Sequence, residues 1–546
     1  MESAKHAGDA AVAVSKAYGV ETMFTLSGGH VFPLYDGAVH EDMRILDVRH
    51  EQSAVFAAEA TARLTRRPGL AVLTAGPGIT NGVSGVATAH FNGSPVVVMG
   101  GRAPQSRWGS GALQELDHPP LLKPITKLSF TATDAESIGQ DVEMAFRTAV
   151  APHRGPVFLD FYMDHLFSPS VAHEVRTQTP SPLEPDPDDL AAIARLLAEA
   201  ERPVLVYGSD VWMDRAEEAA RDFAETWRLP VIPNGQGRGV LPSGHELLVT
   251  RARGLAFKEA DLVIVIGTPL DFRLGYGWFG SKDALARVVH IADTPSQLAT
   301  HMQPAASAAG DLSVVLWSLG TACGDAGVKP DAYASWVSKL ADTAAAAIAG
   351  DAELLASGSD PIHPMRVYGE LGKVLADDAV VIGDGGDFVS YAGKYVEPKQ
   401  PGNWLDPGPY GCLGTGLGYS VAARLARPSS QVVLLLGDGA AGFSLMDVDT
   451  LVRHKLPVVM ICGNNGIWGL EKHPMQLLYG YDVAAELQPQ CRYDQVVTAL
   501  GGGGELVTKP SEIGPALRRA FDSGIPYMVN IATDPQIAYP RSTTGV

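Results

Sequence analysis

The sequence predicts an α/β protein of three doubly wound parallel-sheet domains, and three observations carry that prediction. Short apolar, β-branched runs alternate with Ala-rich helical segments along all 546 residues, as strands covered on both faces by crossover helices do. Several of these runs end in Gly, as strand-to-helix turns beside a ligand commonly do. Two stretches of different composition then divide the chain into blocks of similar size.

In chain order, residues 1–170 open with a helical pattern, "MESAKHAGDAAVAVSKAYGV", and carry the strands "LAVLTAG" and "PVVVMGG". That opening holds acids and no apolar leader core, so the sequence predicts no signal peptide. The Pro-rich segment from Ser168 to Asp189 is a linker. Residues 185–335 form the second unit, with "PVLVYG" and "DLVIVIG" as strands. A helical, Ala-rich passage leads to the third unit, residues 355–546, with "AVVIGDG", "QVVLLLGDG" and "PVVMICGNN". The first and third units both begin with a long helix and a strand, which hints at duplication.

The formal charge is −19, which argues against nucleic acid or an anionic membrane as the main partner. No apolar run approaches the roughly 20 residues of a membrane span. Cys323, Cys412, Cys462 and Cys491 form no CxxC and no regular framework, so the expected compartment is a reducing cytoplasm.

The chemistry concentrates in residues 437–469, "GDGAAGFSLMDVDTLVRHKLPVVMICGNNGIWG". Here a strand ends in GDG, Ser444–His454 reads as a crossover helix, and a second strand ends in NNG. In a right-handed crossover both loops lie at the carboxyl edge of one sheet, so Asp438 and Asn465 can converge. A carboxylate, an amide oxygen and a nearby main-chain carbonyl form a hard, oxygen-only set suited to Mg²⁺ completed by phosphate. The N–H groups of Gly439, Ala440 and Ala441 are placed to hold that phosphate.

GDG, 24 intervening residues and NN resemble the thiamine diphosphate signature. The likeness extends over essentially the whole chain, to the family of acetolactate synthase, oxalyl-CoA decarboxylase and 2-hydroxyacyl-CoA lyase. That resemblance implies pyrimidine-binding, middle and diphosphate-binding domains in turn, thiamine diphosphate and Mg²⁺ as cofactors, and Asp438, Asn465 and the Ile467 carbonyl as metal ligands. "GDGGDF" resembles the other diphosphate-side loop, with Gly386, Asp387 and Phe388 at the cofactor. "YGCLGTGLGYSVAA" resembles the segment whose large apolar residue, here Leu413, props the cofactor in its bent form. "RHEQSAVFAAEATARLTRRPG" resembles the pyrimidine-domain helix and puts Glu51 in the place of the acid bonded to the aminopyrimidine ring. By the same likeness "LTAGPGITNGVSG" lies beside that ring, rather than on a dinucleotide. Because the cofactor spans domains, the resemblance implies a homodimer or homotetramer with active sites at the subunit interface.

The reaction is set on the substrate side. "GALQELDHPPLLKPITK" resembles the active-site loop of the synthases and decarboxylases, with Leu113-Gln114-Glu115 in place of the decarboxylase Tyr-Glu pair. Gln114 and His30, in "SGGHVFPLYDG", are candidate substrate contacts. "NNGIWG" and the segment after it resemble the CoA-using branch, which makes Glu486 the candidate base for a substrate hydroxyl. "DLVIVIGTPLDFRLGYG" makes Arg273 a candidate contact for CoA phosphates. The resulting expectation is a lyase cleaving short or branched 2-hydroxyacyl-CoA to a ketone or aldehyde plus formyl-CoA. Acetolactate synthase, or a related carboligase on 2-keto acids, is the alternative in the same fold, and a non-catalytic scaffold the alternative of another class.

Overall fold

A computed structural model describes residues 6–169, 173–176 and 181–540. Parts of the expected linker, residues 170–172 and 177–180, lie outside the described residues, as do residues 1–5 of the opening pattern. Three parallel sheets follow one another along the chain, and their central strands are buried end to end. Two-sided cover by helices is what makes such strands uniformly apolar rather than alternating.

The first sheet runs, edge to edge, Arg44–Asp47, Thr22–Thr25, Gly69–Leu73, Val96–Arg102, Val157–Tyr162, Leu128–Ala132. The middle sheet runs Ala306–Ala309, Arg287–Ala292, Leu262–Ile266, Pro203–Tyr207, Val231–Pro233. The third runs Trp404–Leu405, Val380–Asp384, Val432–Gly437, Val459–Asn464, Tyr527–Ala532, Gly503–Val507. Numbered within their own domains, the strands of the first and third sheets fall in one order, 2-1-3-4-6-5. A 22-residue helix, Ala334–Leu355, joins the middle domain to the third. Among the described residues no helix is long and apolar enough to cross a membrane.

The first and third domains meet where helix Glu51–Thr65 crosses helix Thr415–Ala426. Gly418 makes the crossing possible, because a Cβ there would stand 2.8 Å from both Phe56 Cβ and the Ser53 carbonyl. The Ser53 hydroxyl donates to Asp447 Oδ2 at 2.5 Å, and the Arg49 N–H donates to its Oδ1 at 2.7 Å. Arg63 ties in the middle domain: its guanidinium donates to the Asp406 carbonyl at 2.8 Å and to Gln236 Oε1 at 3.3 Å. Trp212 Nε1 donates in turn to the Arg63 carbonyl at 2.7 Å. A second seam joins His153 Nδ1 of the first domain to Asp293 Oδ2 of the middle one, at 2.8 Å.

Candidate active site

Strand Val432–Gly437 pairs in register with Val459–Asn464, Gly437 opposite Gly463, so the loops that follow lie side by side. Gly437 is extended (φ −81°, ψ 160°) and turns the chain into helix Asp438–Ser444. Asp438 is 4% exposed; its Oδ1 accepts the Gly439 N–H at 3.0 Å and its Oδ2 the Gly466 N–H at 2.6 Å. Burial pushes this carboxyl up to about 6 against the pull of those backbone donors. Asn465 Oδ1 accepts the Ile467 N–H at 3.2 Å, whereas Asn464 turns inward and donates to the Cys491 carbonyl and Asn530 Oδ1. The expected crossover helix over Ser444–His454 is instead broken. Helix Asp438–Ser444 and helix Val448–Arg453 flank a 3₁₀ turn at Leu445–Asp447. The break sets Asp447 beside Ser53 and Arg49, so the contact with the first domain outweighs a continuous helix.

In front of these loops lies a cavity of about 490 Å³, walled in part by Asp438, Gly439, Ala440, Asn465 and Ile467. Gly386, Asp387, Phe388 and Leu413 also line it. Ala441 is fully buried behind the wall and does not line the cavity. Gly385 (φ +64°) must be Gly, since a Cβ there would stand 2.0 Å from Leu413 Cδ2. Asp384 holds the Leu413 segment from beneath: its carboxylate accepts the Gly414 and Gly416 N–H groups, both at 2.9 Å. Burial pushes the Asp384 carboxyl up to about 6. Asp387 accepts the Tyr539 N–H at 2.8 Å, so its carboxylate serves the C-terminal segment. Rings close on glycines at two points, Phe388 on Gly463 and Trp468 on Gly439, where a Cβ would meet ring carbons at 2.3 and 2.5 Å.

This wall fits a diphosphate held through a divalent cation. The oxygens of Asp438, Asn465 and Ile467 are hard donors without sulfur or imidazole, and the glycines leave the backbone open to a phosphate. At Gly76 the Gln114 backbone packs close, within 3.1 Å of where a Cβ would stand, so that position requires glycine.

The first domain gathers a second group of polar side chains. Glu51, at the first position of its helix, is 7% exposed, and its Oε2 accepts Asn81 Nδ2 at 2.9 Å. The Gly76 N–H donates to His118 Nε2 at 2.9 Å, and His118 Nδ1 lies 2.7 Å from Asp160 Oδ2. Because Nε2 accepts, Nδ1 carries the proton toward Asp160. Gln114 has a left-handed backbone (φ +60°) and rests on Gly76. His30 Nδ1 lies 3.2 Å from Thr74 Oγ1, and burial lowers the pKa of its ring. Of the described residues that wall the Asp438 cavity, none precedes Asn234. Within one chain, then, the Glu51 group lies outside the wall of the Asp438 cavity.

Two further expectations meet the structure unevenly. Glu486 is exposed, and its carboxylate pairs with Lys472 outside the cavity wall. Its backbone does pair with that of Ile467, so it lies in a strap over the metal-side loop. Arg273 lines the cavity, but Asp271 already holds its guanidinium through contacts of 3.1, 3.0 and 2.7 Å. Arg273 also lines a second cavity of about 700 Å³ at the carboxyl edge of the middle sheet. Glu471, which the sequence motifs did not single out, stands on the wall of the first cavity in the opening turn of helix Gly469–Tyr479. An acid in that turn is ordinary N-terminal chemistry, so nothing local marked it.

Comparison with known proteins agrees with this geometry. Models of the thiamine pyrophosphate enzyme family match the chain in all three parts: the N-terminal TPP binding domain at residues 5–121, the central domain at 190–319 and the C-terminal TPP binding domain at 384–531. The chain belongs to the thiamine pyrophosphate enzymes. It is 50% identical to the acetolactate synthase large subunit IlvG of Mycobacterium tuberculosis, over 98% of this chain and 97% of that one. It is 34% identical to 2-hydroxyacyl-CoA lyase 2 of Caenorhabditis elegans (96% and 88% covered) and 31% identical to the human protein of that name (97% and 90% covered).

Proposed function

We propose that the protein is a Mg²⁺- and thiamine diphosphate-dependent carbon–carbon lyase. Its substrate is a short or branched 2-hydroxyacyl-CoA, cleaved to a ketone or aldehyde and formyl-CoA. One observation supports the choice of substrate. Arg273 lines both the cavity before Asp438 and the larger cavity between the first and middle domains, so a thioester has room for a short reacting end on one side of that residue and a long nucleotide-bearing tail on the other.

Asp438, Asn465 and the Ile467 carbonyl would hold Mg²⁺, and the cofactor, when bound, would supply the electron sink for carbon–carbon cleavage. The protein supplies position and proton transfer. Leu413 and the Asp384 tether under it set the floor of the site. Glu51 holds a proton at the aminopyrimidine ring, and Trp468 and Phe388 keep water from the wall. Because Glu51 lies off the Asp438 cavity of its own chain, the complete site is assembled from two copies. Glu486, in the strap paired with Ile467, takes the substrate hydroxyl proton once its ion pair with Lys472 opens.

The 50% identity to an acetolactate synthase favours a second reading, condensation of 2-keto acids. Incubation with 2-hydroxyacyl-CoA thioesters and with pyruvate, in the presence of thiamine diphosphate and Mg²⁺ and with products read by mass spectrometry, separates the two. Formyl-CoA is the expected product; acetolactate from pyruvate with no formyl-CoA overturns the lyase.

A further inference from the structure

We propose that Asn81 is a positioning residue for Glu51, holding that carboxylate in the one orientation in which it can serve the cofactor ring. The proposal rests on the reading of Glu51 as the ring acid.

Glu51 is nearly buried at a helix start, yet Asn81 Nδ2, 2.9 Å from Oε2, is the donor the structure gives its carboxylate. A Glu side chain has three rotatable bonds, and one fixed oxygen removes most of that freedom. The other oxygen, Oε1, lies toward Gly78, where an added Cβ would come into contact with it at 3.8 Å. One oxygen is therefore held by Asn81, and the other lies at a glycine whose missing side chain leaves room beside it. Asn81 itself is exposed within the single chain, and its side chain donates to Glu51.

What holds Asn81 is a separate device. It lies in the second turn of helix Pro77–Phe91, which starts from Gly76 at φ +59°. The Gly76 N–H is fixed by His118, and His118 by Asp160, both wholly buried. Arg102 Nη1 donates to the same Asp160 oxygen at 3.1 Å, and Thr131 to the other at 2.6 Å. The turn that aims Asn81 is thus anchored to the interior of the first sheet, not to a mobile loop. An amide suits this position because it donates without adding charge, whereas a carboxylate at position 81 would repel Glu51 and a lysine would neutralise it.

The test compares Asn81→Ala, Asn81→Asp and Asn81→Ser with Glu51→Gln and the double variant, each as the full chain loaded with thiamine diphosphate and Mg²⁺. Three quantities are read: cofactor affinity from Trp quenching, unfolding temperature, and the rate at which the cofactor C2 proton exchanges into D₂O after acid quench. Asn81→Ala and Asn81→Asp are expected to bind cofactor and unfold as wild type does, while exchange slows about tenfold or more, the worth of one hydrogen bond to a charged group. Asn81→Ser, which keeps a donor, is expected to recover part of the rate. Combined with Glu51→Gln, Asn81→Ala is expected to add nothing. Exchange at the wild-type rate in Asn81→Ala and Asn81→Asp, or a loss that adds fully to that of Glu51→Gln, overturns the proposal. Wild-type exchange in Glu51→Gln overturns the reading of Glu51 instead.

Discussion

Oδ2 of Asp438 accepts the backbone N–H of Gly466 at 2.6 Å, so the acid that ends one strand fixes the loop that ends the next. Under the proposed function the carboxylate therefore has two duties, cation and loop, and they can be separated by mutation.

Asp438→Asn keeps an acceptor for Gly466 and removes the charge. Cofactor affinity in the presence of Mg²⁺ is expected to fall about 100-fold, at the upper end of what metal-site changes cost, with the unfolding temperature of the apoprotein unchanged or raised. Trp468 stands against Gly439 and reports binding by fluorescence. Undiminished affinity in this variant counts against Asp438 as a ligand.

Gly418 lies where helix Thr415–Ala426 crosses helix Glu51–Thr65. Gly418→Val forces a side chain against the Ser53 carbonyl and Phe56, and overpacking of this kind costs about 1–3 kcal/mol or more. A lowered unfolding temperature, with activity retained in the folded fraction, is the expected result by calorimetry and assay.

The seam between the first and middle domains is expected to weaken as pH rises. Burial lowers the pKa of His153, but the hydrogen bond to Asp293 and the charges of Asp210 and Asp293 outweigh it and leave the pKa raised. A raised histidine adds stability that is complete below its unfolded pKa, about 6.5, and lost as pH climbs through the folded value. Asp210, desolvated in the same seam, is pushed up to about 7, and so loses stability in the same direction between about pH 4 and 7. His153→Gln is expected to lower the unfolding temperature more at pH 6 than at pH 8, on the scale of a charged hydrogen bond, about 1.5–3 kcal/mol. An equal loss at both values excludes the charge as the cause.

Glu486→Gln is expected to slow cleavage of a 2-hydroxyacyl-CoA about 100-fold or more, the usual range for a general base, while cofactor binding stays as in wild type. Near-wild-type turnover sinks Glu486 as the base and turns attention to Glu471, the acid already on the cavity wall.

Much of the fold, and the side-by-side placement of the Asp438 and Asn465 loops, is legible in the sequence because it is local. Uninterrupted apolar strands, glycine ends and alternating helices specify parallel sheets. A GDG and an NN one crossover apart share an edge by the handedness of that crossover. Paired asparagines, however, do not say which one faces the ligand; Asn464 is claimed by Asn530 and Cys491, partners far along the chain. Arg273 looked free because Asp271, two residues away, could equally have pointed elsewhere. The broken crossover at Leu445–Asp447 and the pairing of Asn81 with Glu51 depend on contacts between domains or across 30 residues, which no periodicity records.

The first and third sheets share one strand order. In each, the third strand ends in a glycine turn, Gly76–Gly78 in one and Gly437–Gly439 in the other. The two sheets thus present equivalent corners with opposite chemistry: a proline, Pro77, stands between the glycines of one turn and an acid, Asp438, between those of the other. One topology therefore offers an uncharged corner in the first domain and an anionic one in the third.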